Sequence, residues 1–277
     1  MPRDRRQTPT RAGRALLIAL AAGYVLVLVG LPLANVYGQA FSRGASAFLG
    51  GLAAPEAIHA AKLTLLVLAI VVPANTAFGL AAAWVIARRR SVASRIDRLV
   101  ADLPLAVSPT VVGLLAVLAW SPNVGLLAPL VRGTGIRILF AWPGLVLATI
   151  VVTLPYVVRE VLPALYQLEK AEEEAASVLG ATRWQAFWQV VFPAIRASVL
   201  YGVILCTARA AGEFGAVSVV SGHVRGETNT IPLQVEILYN EYNFSGAFAV
   251  ASILTIVALL TLLAKKLIEM RIRTHKT

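Results

Sequence analysis

Two groups of residues in this 277-residue chain have the types and spacing to do chemistry. The first is Arg209 and Glu213, four residues apart inside an otherwise apolar run. On a helix that spacing puts both on one face, where guanidinium and carboxylate can pair. A charge at membrane depth costs about 3 kcal/mol or more unless it is paired or wet. Such a pair therefore marks a functional site, or else a structural lock in which pairing alone offsets the cost. The second group is Glu174-Ala175-Ala176 with Gly180, in a polar segment further up the chain. Nothing else converges. His59, His223 and His275 are scattered without ligand spacing, and the single Cys206 permits neither an internal disulfide nor a thiolate cluster, so a metal site has no support. No set of nucleophile, base and acid is expected, which leaves a membrane enzyme without a site. The chain also lacks a G-x-x-x-x-G-K-[ST] loop, having no Gly-Lys pair at all, so it supplies no nucleotide site of that kind.

The elements that must position these groups follow from composition. Hydrophobic residues make up 58% of the chain and charged residues 14%, against roughly 25% charged in a soluble domain. That excess of apolar surface calls for lipid. Since roughly 20 apolar residues cross the hydrocarbon as a helix, six spans are expected. They are Ala15 to Val36, Leu63 to Ala87, Leu103 to Val131, Ile138 to Val158, Ala197 to Val224 and Phe244 to Ala264. The third holds Pro104, Pro109, Pro122 and Pro129, so its helix should end near Trp120 and Ser121 and continue as an irregular segment. The first has too long an apolar core for a cleaved signal and should remain as an anchor. In the fifth, Ala208 with Gly212 and Ala211 with Gly215 give small-xxx-small spacings that admit a neighbouring helix.

The net charge of +11 does not mark a nucleic-acid binder, because the basic residues cluster beside apolar runs instead of along one polar face. Nineteen of the 25 Lys and Arg fall in the N-terminal tail, the 88–98 loop, the 159–196 segment and the C-terminal tail. By the positive-inside bias, both termini are expected in the cytoplasm. The domain plan is a basic tail at 1–14, a membrane domain at 15–268 and a second tail at 269–277.

In the cytoplasmic segment the apolar phase changes. Ala175, Val178 and Leu179 follow i, i+3, i+4; Trp184, Phe187, Trp188 and Val191 follow i, i+3, i+4, i+7. At about 100° per residue the nine-residue step from Ala175 to Trp184 is about half a turn, so one straight helix would put the stripes on opposite faces. Two short helices joined at Gly180 are expected, each burying its own stripe. Glu172, Glu173 and Glu174 suit the start of the first. The stripes fit a headgroup-layer helix pair and a partner-docking pair equally well.

The pattern Glu174-Ala175-Ala176, Gly180, Val190, Phe192-Pro193 resembles the EAA loop of ABC-importer permeases, here at 171–193, with Val190 and Phe192 where that family more often has isoleucine and leucine. The run Arg209-Ala210-Ala211-Gly212-Glu213-Phe214-Gly215-Ala216 resembles a signature shared by molybdate and sulfate permeases. Val217-Ser218-Val219-Val220-Ser221-Gly222, Arg225-Gly226-Glu227-Thr228, Pro232-Leu233-Gln234 and Tyr242-Asn243 look like the CysW-type subunits of sulfate/thiosulfate importers, and Ser108-Pro109 and Pro155 to Glu160 fit the same family.

The resemblance implies an all-α, six-helix membrane protein with the type I importer (MetI-like) permease fold. Glu174, Ala175, Ala176, Gly180 and Pro193 would couple it to a separate ATPase that holds ATP and Mg. Its partners would be a second sulfate permease subunit, two ATPase subunits and a periplasmic sulfate-binding protein, in a bacterial inner membrane. Arg209, Glu213, Ser108, Ser218 and Ser221 are the candidates for the anion's path, and the outward loop from Ser221 to Asn243 for contact with the binding protein. A molybdate or tungstate permease is the nearest alternative. A secondary anion transporter would need an internal repeat with matching broken helices, and the sequence shows none.

Overall fold

The computed structural model describes residues 11–88, 102–123, 125–133, 135, 137–168 and 170–274. The expected basic residues of the first tail up to Arg6, of the 89–98 loop, and His275 and Lys276 lie outside the described residues.

Among the described residues all regular secondary structure is helical. Helix α1 (Arg11–Val25) runs through a π-helical turn (Leu26–Gly30) into α2 (Leu31–Ala40). After the short α3 (Ala45–Ala53), α4 (Pro55–Arg88) crosses as one 34-residue helix. A single turn at 102–106 leads to α5 (Pro109–Trp120), and α6 (Ala128–Arg132) precedes α7 (Trp142–Gln167). The expected helix pair is α8 (Lys170–Val178) and α9 (Arg183–Ala186), followed by a second π turn (Phe187–Val191), α10 (Phe192–Ala211), α11 (Gly215–Ser221), α12 (Ile231–Asn240) and α13 (Phe244–Thr274).

Five continuous helical stretches are long and apolar enough to span a bilayer: Ala15–Ala40, Pro55–Arg88, Trp142–Gln167, Arg183–Ala211 and Phe244–Met270. The third expected span differs. Its helix ends at Trp120 as the prolines dictate, but Ser108-Pro109 also interrupts its start, leaving 12 helical residues, about 18 Å of rise, too short to cross unaided. The fourth is displaced towards the C-terminus. It begins at Trp142 and runs through Pro155 and Pro163 to Gln167, so what reads as cytoplasmic sequence from Arg159 onwards is at first a continuation of the helix.

Helix α7 is the centre of the bundle. Leu145, Ala148 and Val152 pack with Leu63, Val67 and Val71 of α4, Val112 of α5, Val217 and Val220 of α11 and Leu233 of α12. Further along, Val157, Val161 and Leu165 pack with Ala83 and Ile86 of α4 and with Val191, Ile195 and Val199. The α1–α2 span is the opposite case: Leu16, Leu17, Ile18, Leu20, Leu26 and Leu31 are all exposed, as suits a helix whose apolar surface faces lipid or another chain.

Candidate functional site

The expected fifth span is broken, and the break organises the charged pair. Helix α10 stops at Ala211, Gly212 leaves the helical conformation, and α11 restarts at Gly215. Arg209 and Glu213 still meet, Nη1 to Oε2 at 2.6 Å, with the carboxylate side chain 1% exposed and the guanidinium 30%. Because Glu213 lies past the helix end, its other oxygen is available to the restart: Oε1 accepts the Ala216 N–H at 2.9 Å. One carboxylate thus joins the last turn of α10 to the first turn of α11, where the backbone dipole also favours negative charge. The Ala211–Gly215 spacing therefore straddles two helices instead of lining one.

Helix α5 closes against this joint. A side-chain carbon at Gly113 would lie 2.7 Å from the Ala216 carbonyl oxygen, and one at Gly215 would lie 3.0 Å from Pro109 Cβ, so both glycines are required by the approach of backbones. Ser108, at the N-cap of α5, makes no capping bond with its side chain. Ser218 donates to the Gly215 carbonyl at 3.0 Å, while the fully buried Ser221 accepts from the His223 N–H at 3.1 Å. Arg209, Glu213, Ser108 and Ser218 thus belong to one neighbourhood around the joint, and Ser221 closes the far end of α11.

The loop from Ser221 to Asn243 is not simply a solvated connection. Thr228, Asn229, Thr230 and Gln234 are buried, the Ile231 N–H donates to Thr64 Oγ1 of α4 at 2.9 Å, and α12 occupies residues 231–240. Pro232 in its first turn and Thr230 before it are the sequence signals of that helix start. Tyr239 in its last turn and Tyr242 just beyond it are exposed, and Arg225 pairs with Glu241.

A second polar centre escapes sequence reasoning altogether. Asn75 of α4 is fully buried; its Nδ2 donates to Thr153 Oγ1 at 2.7 Å and lies 3.7 Å from Cys206 Sγ, tying α4, α7 and α10 together. Thr153 in turn donates to the Thr149 carbonyl at 2.6 Å. The available signal was Asn75 as the one amide in the Leu63 to Ala87 run. Replacing it with leucine is expected to lower the thermal midpoint of the detergent-solubilised complex by about 2–4 °C, for a loss of about 1 kcal/mol. An unchanged midpoint would show that these hydrogen bonds contribute nothing to holding the helices.

At the other end, α8 closes in a glycine cap. Gly180 adopts φ +86°, the Ala181 N–H donates to the Ala176 carbonyl at 3.0 Å and the Gly180 N–H to the Ser177 carbonyl at 3.1 Å. Only glycine takes this left-handed position without cost, so the turn follows from one residue. Thr182 and Gln185 then form a reciprocal capping box that starts α9. The expected pair is present, with different fates for its stripes. Phe187 packs edge-on against Trp84 of α4 with centroids 5.4 Å apart, and Val191 is fully buried. The first stripe is not covered by the described residues: Ala175 is exposed, and Val178 and Leu179 are each 87% exposed.

Residues 75–274 match the model of a family described as the binding-protein-dependent transport system inner membrane component. The chain belongs to that family. It is accordingly a multi-pass membrane protein and a transport permease. It is 49% identical to the sulfate transport system permease protein CysW of Synechococcus elongatus, over 92% of this chain and 89% of that one. The CysW protein of Escherichia coli is 41% identical over 97% and 92%, and the CysT permease of the same organism 31% identical over 94% and 93%. Among solved structures, a chain of a bacterial ABC transporter involved in the import of the polysaccharide alginate aligns with a TM-score of 0.76 at 19% identity, covering 92% of this permease and 95% of that chain. That likeness establishes the importer-permease fold. Among the described residues no group of His, Cys, Asp and Glu is arranged to hold a metal.

Proposed function

We propose that this permease is one of two related subunits that form the translocation path of a sulfate importer, with thiosulfate as a second substrate. The observation that carries the substrate is the 41–49% identity to sulfate permeases over more than nine-tenths of the chain. The 31% likeness to a CysT permease supports a second subunit of related but distinct sequence. ATP and Mg belong to two partner ATPase subunits, and a periplasmic binding protein delivers the anion to the outer face, with the exposed Tyr239 and Tyr242 in position to meet it. Both termini lie in the cytoplasm. A solved relative is described in complex with a periplasmic protein carrying its substrate, which supports the same plan.

Coupling runs through Glu174, Ala175, Ala176, Gly180 and Pro193. The bare apolar stripe of α8 is the surface an ATPase cleft would cover, alanines permit close approach, and the Gly180 turn fixes the angle at which motion reaches α10. In the path, Arg209 faces the joint with Ser108 and Ser218, and Ser221 supports α11 from behind. A doubly charged anion must enter yet also leave, so neutral hydroxyl donors suit it better than a bare deep cation. Glu213 offsets the field of Arg209 and keeps the anion from being trapped.

The test is uptake of labelled sulfate by the complete complex in vesicles, with binding protein outside and ATP at the ATPase face. Uptake that needs both, and that excess unlabelled sulfate competes far better than molybdate, is expected. Preferential competition by molybdate would reassign the substrate, and uptake without the ATPase would overturn the class.

A further inference from the structure

The two stripes of the cytoplasmic helix pair have different surroundings, and the second one points to a ligand of its own. Trp184, Phe187, Trp188 and Phe192 form an unbroken aromatic chain, with centroids 5.5 Å apart for Trp184 and Trp188 and 4.9 Å for Trp188 and Phe192. Through Phe187 it reaches Trp84 near the end of α4, and Arg88 lies over the Trp84 ring at 4.2 Å. Only part of this chain is covered: Trp184 is 71% exposed and Trp188 45%. Two helices that are far apart in sequence thus end at one level in the same combination of tryptophan and arginine.

Length fixes that level relative to the bilayer. The stretch Arg183–Ala211 has 29 residues, about nine more than the roughly 20 that cross hydrocarbon. The surplus is its start, since Arg183, Gln185 and Gln189 interrupt the first nine residues, whereas from Phe192 to Ala208 only Arg196 is charged. Tryptophan favours the headgroup layer because its ring is apolar and its N–H is polar. Between Ala175 and Gly212 there is no acidic residue, while Arg183 and Arg196 are both exposed, so this stretch itself presents charge of one sign. A long arginine one turn inside the boundary reaches back to it.

We infer that Trp184, Trp188, Arg183 and Arg196 bind the headgroups of anionic phospholipids in the cytoplasmic leaflet, so that the helix pair is held between the ATPase on its α8 stripe and the bilayer on its aromatic stripe. This rests on the orientation and the coupling role proposed above. Basic residues near such a surface are each attracted to it, and the attraction disappears when the surface is neutral. The lipid's charge therefore sets how firmly the lever is seated.

The experiment uses the complete complex in vesicles of phosphatidylcholine alone or with one-third phosphatidylglycerol. Sulfate uptake by the parent complex is expected to be about fivefold faster in the second, and R183Q/R196Q to bring that ratio close to one. K265Q/K266Q, which removes two basic residues from the end of α13, should keep the ratio. Brominated phosphatidylglycerol should quench tryptophan emission more than brominated phosphatidylcholine, and W184F/W188F should abolish the difference. An equal ratio in the parent and R183Q/R196Q, an equal loss in K265Q/K266Q, or quenching indifferent to headgroup would each overturn the inference. Loss of the ATPase from purified W184F/W188F complex would reassign this face to the ATPase and overturn it too. Absence of uptake in every vesicle would instead sink the proposed function, while the quenching would still decide the lipid contact.

Discussion

Replacing both Arg209 and Glu213 with glutamine is expected to give a complex that assembles and melts close to the parent but takes up sulfate at least tenfold more slowly. The single substitutions cannot separate structure from transport. Arg209→Gln leaves a carboxylate that is 1% exposed without its cation, and removing one partner of a buried pair costs about 3–5 kcal/mol. Lower uptake in that variant would follow from instability alone. In the double variant the charge is removed on both sides, the side-chain amide oxygen introduced by Glu213→Gln can still accept the Ala216 N–H that Glu213 Oε1 accepts, and the joint between α10 and α11 survives. What is then missing is the balanced charge pair at the break. Initial rates of labelled sulfate uptake, set beside the thermal midpoint and the yield of assembled complex, check this. Full uptake in a stable double variant would leave the pair as a structural lock.

Gly180→Val is expected to reduce ATP-driven uptake to less than about a twentieth of the parent rate and to make whatever ATP hydrolysis remains independent of the binding protein. The φ of +86° is open to glycine and strained by about 1–2 kcal/mol or more for a β-branched residue. The chain would avoid that strain by leaving the left-handed turn, which would break the Ala181-to-Ala176 bond and swing the α8 stripe away from its present angle. No atom lies within 4 Å of where the added carbon would be, so the effect is one of backbone direction and not of steric overlap with the rest of the protein. Gly180→Asn, which tolerates the left-handed region better, should retain several-fold more uptake than the valine variant. Equal rates in all three proteins would remove the coupling role from this turn.

How much was legible in the sequence depends on whether the deciding interaction was local. Gly180, the Thr182–Gln185 box and the proline punctuation of α5 each act within a few residues, and the helix pair and the end of α5 at Trp120 follow from them. The same holds for the long spans Ala15–Ala40, Pro55–Arg88 and Phe244–Met270, whose apolar length is a property of contiguous residues. The Arg209–Glu213 pair was also legible as an i, i+4 spacing, and it forms. Its setting was not, because a run that stays apolar to Val224 carries no hydropathic mark of the break at Gly212, where α5 lies so close that a side-chain carbon at Gly113 would meet the Ala216 backbone.

The sequence alone therefore determined the class of this protein. A chain this apolar has to be solvated by lipid, and a glycine and a capping box set the turn between α8 and α9, all through short-range chemistry and the cost of unsatisfied backbone in hydrocarbon. Only the tertiary structure decided which residues work together. Asn75 meets Thr153 and Cys206 across 78 and 131 residues, Thr64 receives the start of α12 from 167 residues away, and of two similar stripes one is partly covered within the fold while the other is bare. These follow from which helices become neighbours. Among helices that are all apolar, hydropathy does not choose the neighbours; close packing of small residues and the pairing of a few buried polar groups do.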